Sequence, residues 1–296
     1  DYCFYTQFQI SKKSGGKREL DVPSADLKYI QRWILDNILS NMHVSEFATG
    51  FYDNRSILDN AKRHTGQSCV INMDLKDFFP SISFNKVFMI FKYYGYTKEV
   101  SFVLSKLCTF NDHLPQGSPA SPYLSNISCL KLDARLSALA QLYHANYSRY
   151  ADDITFSTRK GAFPSAIAKN QNGKYIVSKK IRGEITRSGF IINDGKTRNQ
   201  YKDSRQDVTG LVVNKKPNTK KEYWRLVRAQ CDHLFKHGEF LEVIDGKEIK
   251  GYVNSLAGKL NFIDQVDHYN RLRQGEKLNP KYHLKKDANK NGHAKK

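Results

Sequence analysis

The stretch Tyr147-Ser148-Arg149-Tyr150-Ala151-Asp152-Asp153-Ile154-Thr155-Phe156-Ser157 sets two adjacent carboxylates between two runs of residues that favour β-strands. The runs predict a β-hairpin in which Ala151, Asp152 and Asp153 form the turn. Neighbouring carboxylates repel each other, and a hard divalent cation with oxygen ligands would offset that repulsion. A solvated Asp-Asp turn is the alternative interpretation, because Asp is common in hairpin turns.

A third carboxylate follows a second apolar run. Residues 69–73 are predicted to form a buried strand that ends at Asp74. If this strand lies beside the hairpin, Asp74, Asp152 and Asp153 converge at one edge of a sheet. Such a cluster suits two Mg²⁺ ions about 4 Å apart, the arrangement used for in-line phosphoryl transfer.

Between these carboxylates lies Leu114-Pro115-Gln116-Gly117-Ser118-Pro119-Ala120-Ser121-Pro122. A turn bounded by Gly and Pro that leads into a helix can bring backbone N–H groups close to a substrate. An ordinary Pro-rich helix start would have the same sequence, so this stretch alone leaves both interpretations open.

The charge balance of the sequence indicates what kind of molecule the protein binds. Among 296 residues, 48 Lys and Arg stand against 29 Asp and Glu, a net charge of +19, which favours a polyanion such as nucleic acid. A hydrophobic fraction of 40% excludes wholesale disorder, and no apolar run is long enough to predict a membrane span. The five scattered cysteines form no CxxC pair, which is typical of a reducing, cytoplasmic setting.

The remaining pattern alternates short strands with helices, so we predict an α+β fold. From Lys220 onward the chain is predicted to be helical and basic. The other expected elements are strands at 5–10, 18–22, 190–192 and 208–213, and helices at 27–39, 87–94, 100–107, from Pro119 or Pro122 through Leu136, and 165–188 with an interruption at Asn172-Gly173.

The order Asp74, Leu114–Pro122, Tyr150–Asp153 resembles the palm of reverse transcriptases, and the resemblance extends from about residue 5 to residue 267. It implies a right-hand polymerase whose palm contains an antiparallel sheet with the Tyr-Ala-Asp-Asp hairpin. The implied domains are fingers at 1–68, palm with interspersed fingers helices at 69–214, helical thumb at 215–275 and a basic mobile tail at 276–296. The fingers are expected to be truncated, since the chain begins with Asp1 rather than Met.

The resemblance also implies roles for individual residues. Asp74, Asp152 and Asp153 match the catalytic aspartates that hold two Mg²⁺ ions. The residues implied in nucleotide binding are Lys12 and Arg18 at the triphosphate, Gln116 at the incoming nucleotide, Phe79 as the aromatic steric gate that crowds a ribose 2′-OH, and Lys196 near the pyrophosphate.

Two further motifs are similar to elements of bacterial retron reverse transcriptases. Asn60-Ala61-Lys62-Arg63-His64 resembles their NAxxH element and Val208-Thr209-Gly210 their VTG element. This similarity implies RNA or primer binding by Asn60, His64, Val208, Thr209 and Gly210. For His64 by itself, a capping or core histidine is the simpler interpretation.

Retron enzymes reverse-transcribe a structured non-coding RNA with dNTPs, priming from the 2′-OH of an internal guanosine. The branched RNA–DNA product (msDNA), the enzyme and an effector protein commonly form an antiphage defence system in the bacterial cytoplasm. The resemblance implies the same here. One alternative is another bacterial reverse transcriptase, of the group II intron maturase-like, diversity-generating or defence type. A second is an RNA-templated RNA polymerase, which Phe79 disfavours. A third, of another class, is an inactive polymerase-derived RNA-binding scaffold.

Overall fold

A computed structural model of the chain describes residues 4–11, 15–171, 174–244 and 246–273. The chain divides into two compact units, Asp1–Lys215 and Lys216–Lys296. Lys12 and the tail at 276–296 lie outside the described residues.

The first unit mixes strands and helices along the chain. Its elements are, in order, β1 (Tyr5–Ser11), β2 (Lys17–Pro23), α1 (Ala25–Asn37), a 3-10 turn (Leu39–Asn41), α2 (Ile57–Arg63), β3 (Cys69–Lys76), α3 (Phe84–Tyr93), α4 (Lys98–Cys108), α5 (Ser121–Ser128), α6 (Leu130–Leu142), β4 (Asn146–Tyr150), β5 (Asp153–Thr158), β6 (Ala168–Gln171), β7 (Lys174–Val177), α7 (Lys179–Arg187), β8 (Ile191–Tyr201), β9 (Asp207–Val208) and β10 (Leu211–Val212).

A four-stranded antiparallel sheet with the order β4-β5-β3-β8 forms the centre of this unit. The predicted hairpin is confirmed, because β4 pairs with β5 from Tyr150 opposite Asp153 to Asn146 opposite Ser157. The central strands β3 and β5 consist mainly of buried residues and contribute to one large hydrophobic core. Burial on both faces explains why their sequences are short apolar runs.

Strand β4 is anchored to α6 by a buried ion pair. The Arg149 guanidinium donates from Nε and Nη2 to the two Asp133 carboxylate oxygens at 2.8 Å each, and both side chains are fully buried. The Tyr147 hydroxyl donates to Asp133 Oδ1 at 2.7 Å. Burial alone would lower the pKa of Arg149, but the adjacent carboxylate raises it above its usual range. Arg149 is therefore charged and paired.

Several predicted elements of the first unit differ in the structure. The strand predicted at 208–213 is the hairpin β9–β10 with a turn at Thr209 and Gly210, and the strand predicted at 190–192 continues to Tyr201 as β8. The segment 165–188, predicted to be helical, contains the antiparallel hairpin β6–β7 before helix α7 begins. Asn172-Gly173 lies between the two strands, and this dipeptide is a strong hairpin signal. The helix predicted from Pro119 or Pro122 through Leu136 is two helices, α5 and α6, which are separated at Cys129.

The second unit contains helix α8 (Lys221–His237), strands β11 (Leu241–Ile244) and β12 (Lys247–Lys250), and helix α9 (Val253–Arg273). The antiparallel hairpin β11–β12 interrupts the continuous helical pattern predicted from Lys220. The small core consists of Val227, Phe240, Leu256 and Ile263. In the described part of both units, we find no helix with the length and apolar character that crossing a membrane requires.

The ion pair of Asp133 and Arg149 yields a stability prediction. Asp133→Asn leaves a buried guanidinium without its counter-charge, so the free energy of unfolding should fall by about 3–5 kcal/mol. The measurement is urea unfolding followed by circular dichroism.

The exposed pair of Arg182 and Asp194 is the matched control. It is also two-pronged, from Arg182 Nη1 and Nη2 at 3.2 and 2.7 Å, but its side chains are 38% and 67% exposed. Asp194→Asn should change the free energy of unfolding by less than about 1 kcal/mol. Equal losses in the two variants would contradict the prediction.

Candidate active site

The sheet brings the three predicted catalytic aspartates to one edge. In the register of β3 against β5, Asp74 is the direct partner of Asp153. The Leu75 backbone N–H donates to the Asp152 carbonyl at 3.0 Å, which extends the contact into the hairpin turn. Asp74 is separated from the hairpin by more than seventy residues of sequence, so this convergence is a product of strand pairing.

Asp74 and Asp152 line an open cleft of about 950 Å³. The lining includes many of the residues predicted to bind nucleotide or metal: Arg18, Asp74, Phe79, Gln116, Asp152 and Lys196. Asp153 is not among the lining residues of this cleft. The structure thus gathers most of the predicted site around a single opening.

The carboxylates of the hairpin turn are partly buried and lie close to other carboxylates. Burial, followed by the charges of Asp152 and Asp74, raises the pKa of Asp153 to about 6. Burial and the charge of Asp74 also raise the pKa of Asp152. Oxygen donors with excess negative charge are the ligands that hard divalent cations prefer, so the chemistry of the three aspartates fits such an ion.

Asp74 is held by residues of the neighbouring strand β8. Lys196 Nζ lies 3.0 Å from its carboxylate, and Asn193 Nδ2 donates to Oδ1 at 3.3 Å. A register shift between Asn72 and Asp74 interrupts the β3–β8 pairing, and such bulges often redirect side chains beside active sites. Among the described residues, no group of three acidic, His or Cys side chains is already arranged to hold a metal ion. In this structure both Asp74 carboxylate oxygens contact Lys196 or Asn193.

Arg149 is a residue of the site that the sequence motifs do not indicate. Its Nη1 donates to the carbonyl oxygen of Ala151 at 3.0 Å and to Asn126 Oδ1 at 3.2 Å. Ala151 has φ +55°, a left-handed conformation that is uncommon for alanine. The buried guanidinium thus stabilises the turn conformation that presents Asp152. A charged residue inside an otherwise strand-like run is the one signal in the sequence.

Gln116 reaches the cleft from a loop that is bound to strand β2. The Asp21 backbone N–H donates to the Gln116 carbonyl at 2.8 Å. At Gly117, which has φ +140°, a Cβ atom would lie 2.4 Å from the Asp21 carbonyl oxygen. Glycine is therefore required for this close approach of the loop to β2.

Phe79 lies half-buried between two other aromatic rings. Its ring centroid is 5.4 Å from that of Phe78, a core residue, and 6.0 Å from that of Phe51. Phe51 also lines the cleft and was not indicated by any motif. The predicted steric gate therefore has one neighbour in the core and one in the cleft.

Asn60 and His64 are fully buried, and their polar groups bind inside the protein. The Ser148 hydroxyl donates to Asn60 Oδ1 at 2.5 Å, while His64 Nε2 lies 2.7 Å from Ser148 Oγ and Nδ1 lies 2.7 Å from Ser157 Oγ. Since Ser148 donates to Asn60, it accepts from His64, so the neutral ring has its proton on Nε2. The two ring nitrogens of His64 thus bind hydroxyl groups on β4 and β5 and link these strands to α2. Neither nitrogen is available to RNA, so the predicted RNA contact of His64 is replaced by contacts inside the protein.

The second retron-like motif contacts the first. Thr209 and Gly210 form the β9–β10 turn with φ +46° and +84°, and Val208 is fully buried. Asn60 Nδ2 donates to Thr209 Oγ1 at 3.4 Å. Because Val208 is buried, it offers no surface to a primer. In this structure only the turn residues Thr209 and Gly210 of the motif could contact nucleic acid.

Burial of His64 predicts a pH-dependent stability. Burial, followed by the charge of Arg63, lowers the pKa of His64 from 6.5 to about 3. Between these values the unfolded chain binds a proton that the folded chain does not, so stability is lost as the pH falls. The His64 contribution should decrease by about 2 kcal/mol from pH 7 to pH 5.

The test compares urea unfolding of wild type and His64→Gln at both pH values. The variant should lose less stability on acidification, even if it is less stable at pH 7. The comparison cancels groups of opposite sign such as Asp153, whose raised pKa favours the folded state at low pH. Identical losses in the two proteins would contradict a neutral buried His64.

Comparisons with known proteins agree with this site. A family model described as reverse transcriptase (RNA-dependent DNA polymerase) matches residues 10–220. The chain is similar to the Retron Ec86 reverse transcriptase of Escherichia coli, with 35% identity over 94% of this chain and 82% of that protein. It is 38% identical to the Retron Mx162 reverse transcriptase of Myxococcus xanthus over 71% of this chain and 47% of that protein.

A solved apo telomerase structure from Candida tropicalis aligns with 73% of this chain and 55% of its own chain, at 12% identity and a TM-score of 0.45. This score adds nothing to the assignment, which rests on the family model and the retron relatives. The chain belongs to the reverse transcriptase family of RNA-directed DNA polymerases, and within that family it is of the bacterial retron type.

Proposed function

We propose that the cleft beside β3 and the β4–β5 hairpin is the polymerase active site, in which Asp74, Asp152 and Asp153 hold two Mg²⁺ ions. The observation that supports this most directly is the pairing of Asp74 with Asp153 beside a cleft that is also lined by Arg18, Lys196 and Phe79. Reverse transcriptases generally use divalent metal ions, and magnesium is our specific proposal. When bound, such ions acidify the attacking hydroxyl and stabilise the leaving pyrophosphate.

Lys196 changes partner in this proposal. Its ammonium group neutralises Asp74 in the structure at 3.0 Å. When the Asp74 oxygens instead bind a cation, Lys196 becomes available to a phosphate oxygen in the same cleft. There it can bind the leaving pyrophosphate and donate a proton to it, since ammonium groups are both phosphate ligands and acids.

The other cleft residues orient the nucleotide. Arg18, on β2, presents a guanidinium suited to two-pronged contact with phosphate oxygens, and we propose that Lys12 assists it. Gln116 contacts the incoming nucleotide from its anchored loop. Phe79 occupies the position where a ribose 2′-OH would lie and so selects deoxynucleotides.

The retron relationship supports a specific template and product. We infer that the enzyme copies a structured non-coding RNA, primes from the 2′-OH of an internal guanosine and produces branched msDNA. The excess of 48 basic over 29 acidic residues supports tight binding of such nucleic acids. In this proposal residues 1–68 are fingers, 69–214 palm and 215–275 thumb, and an effector protein completes an antiphage system in the bacterial cytoplasm.

The proposed catalytic role of Asp152 is tested by Asp152→Asn. Loss of one metal-binding carboxylate should reduce Mg²⁺-dependent primer extension with dNTPs on an RNA template by about 1,000-fold or more. Asp36→Asn, at an exposed position of α1, is the control and should extend at the wild-type rate. Retention of activity in Asp152→Asn would contradict the assignment of the site.

The retron-type product is tested in the native host. Nucleic acid that copurifies with the protein should contain DNA joined to RNA through a 2′–5′ branch. A debranching enzyme should then shift its mobility in a denaturing gel. Linear cDNA alone, unchanged by debranching, would contradict the retron proposal and favour a maturase-like or diversity-generating enzyme.

A further inference from the structure

Phe51 is a large apolar side chain that the structure leaves exposed in the catalytic cleft. It is 40% exposed and lines the same opening as Asp152 and Gln116. Its backbone has φ +60°, a left-handed conformation that is rare for bulky residues. Exposure and an unfavourable backbone are both costly, so their combination at this position points to a function.

The neighbouring residues hold this conformation firmly. The Thr49 backbone N–H donates to the Arg149 carbonyl at 2.8 Å, and Asn126 Nδ2 donates to the Gly50 carbonyl at 2.8 Å. A Cβ atom at Gly50 would lie 3.1 Å from the Ala151 backbone nitrogen, so this segment packs directly on the catalytic turn. The backbone that leads into Phe51 is therefore anchored to the elements that shape the Ala151–Asp153 turn.

The ring of Phe51 contacts the proposed steric gate. Its centroid is 6.0 Å from that of Phe79, with 42° between the ring planes. Phe79 also contacts Phe78 at 5.4 Å, and Phe78 is buried against Phe190 at 5.5 Å. Phe79 thus contacts two rings, that of the buried Phe78 and that of the exposed Phe51.

A steric gate discriminates only if its ring cannot retreat from the sugar. Interactions between packed rings resist such a displacement, and removal of one neighbour leaves space for it. We propose that Phe51 is a specificity-determining residue that buttresses Phe79 and thereby enforces selection of deoxynucleotides over ribonucleotides. This inference rests on the proposed role of Phe79 as the gate.

The experiment measures kcat/KM for dGTP and GTP in single-nucleotide extension on an RNA template. The proteins are wild type, Phe51→Ala, Phe79→Ala, the double variant and Phe102→Ala. Phe102 is a second exposed phenylalanine, 49% exposed on α4, that does not line the cleft. Thermal unfolding verifies that each variant is folded.

Phe51→Ala should lower the dGTP/GTP selectivity by about tenfold, chiefly by improving the use of GTP. The double variant should be no less selective than Phe79→Ala alone, because both substitutions act through one ring. Phe102→Ala should have wild-type selectivity.

Three outcomes would overturn the inference. If selectivity is unchanged in Phe51→Ala but reduced in Phe79→Ala, Phe51 does not support the gate, although Phe79 remains the gate residue. Equal losses of kcat/KM for both nucleotides in Phe51→Ala would identify a base-stacking surface instead. Wild-type selectivity in Phe79→Ala would refute the proposed gate and, with it, the role of Phe51.

Discussion

The register of β3 against β5 is the constraint on which the site depends. Side chains alternate between the faces of a strand, so a shift by one residue would turn Asp74 to the opposite face of the sheet. In the observed register Asp74 is opposite Asp153, and the adjacent strand β8 supplies Lys196 to the same carboxylate. The local shift between Asn72 and Asp74 in the pairing with β8 occurs at this position.

Buried polar groups hold the β4–β5 hairpin on both faces of β4. Arg149 points toward α6 and pairs with Asp133, while the neighbouring Ser148 points toward α2 and bonds with Asn60 and His64. Each group has partners, which offsets the cost of its burial. The ion pair also reaches the Ala151 carbonyl, so the same interaction that anchors the strand stabilises the turn that presents Asp152.

Much of the fold was predictable because its signals are local. The hairpin and the strand before Asp74 follow from apolar runs that end at carboxylates, and the structure confirms both. The hairpin β6–β7 differs from the predicted helix because helical spacing in a polar segment is a weak signal, whereas Asn172-Gly173 favours a hairpin turn. The burial of Asn60 and His64 was not predictable for a different reason: a motif identifies residues but does not reveal whether they are exposed.

By itself, the sequence determined the chemistry of this protein: adjacent aspartates in a hairpin, a third after a buried strand, and motifs in the order of a reverse transcriptase. These features depend on residue type and on short-range periodicity. Only the tertiary structure decided that Lys196 neutralises Asp74, that His64 is an internal brace and that Phe51 contacts Phe79. Such contacts join residues far apart in the chain, and they arise from the packing of whole elements, which no local pattern specifies.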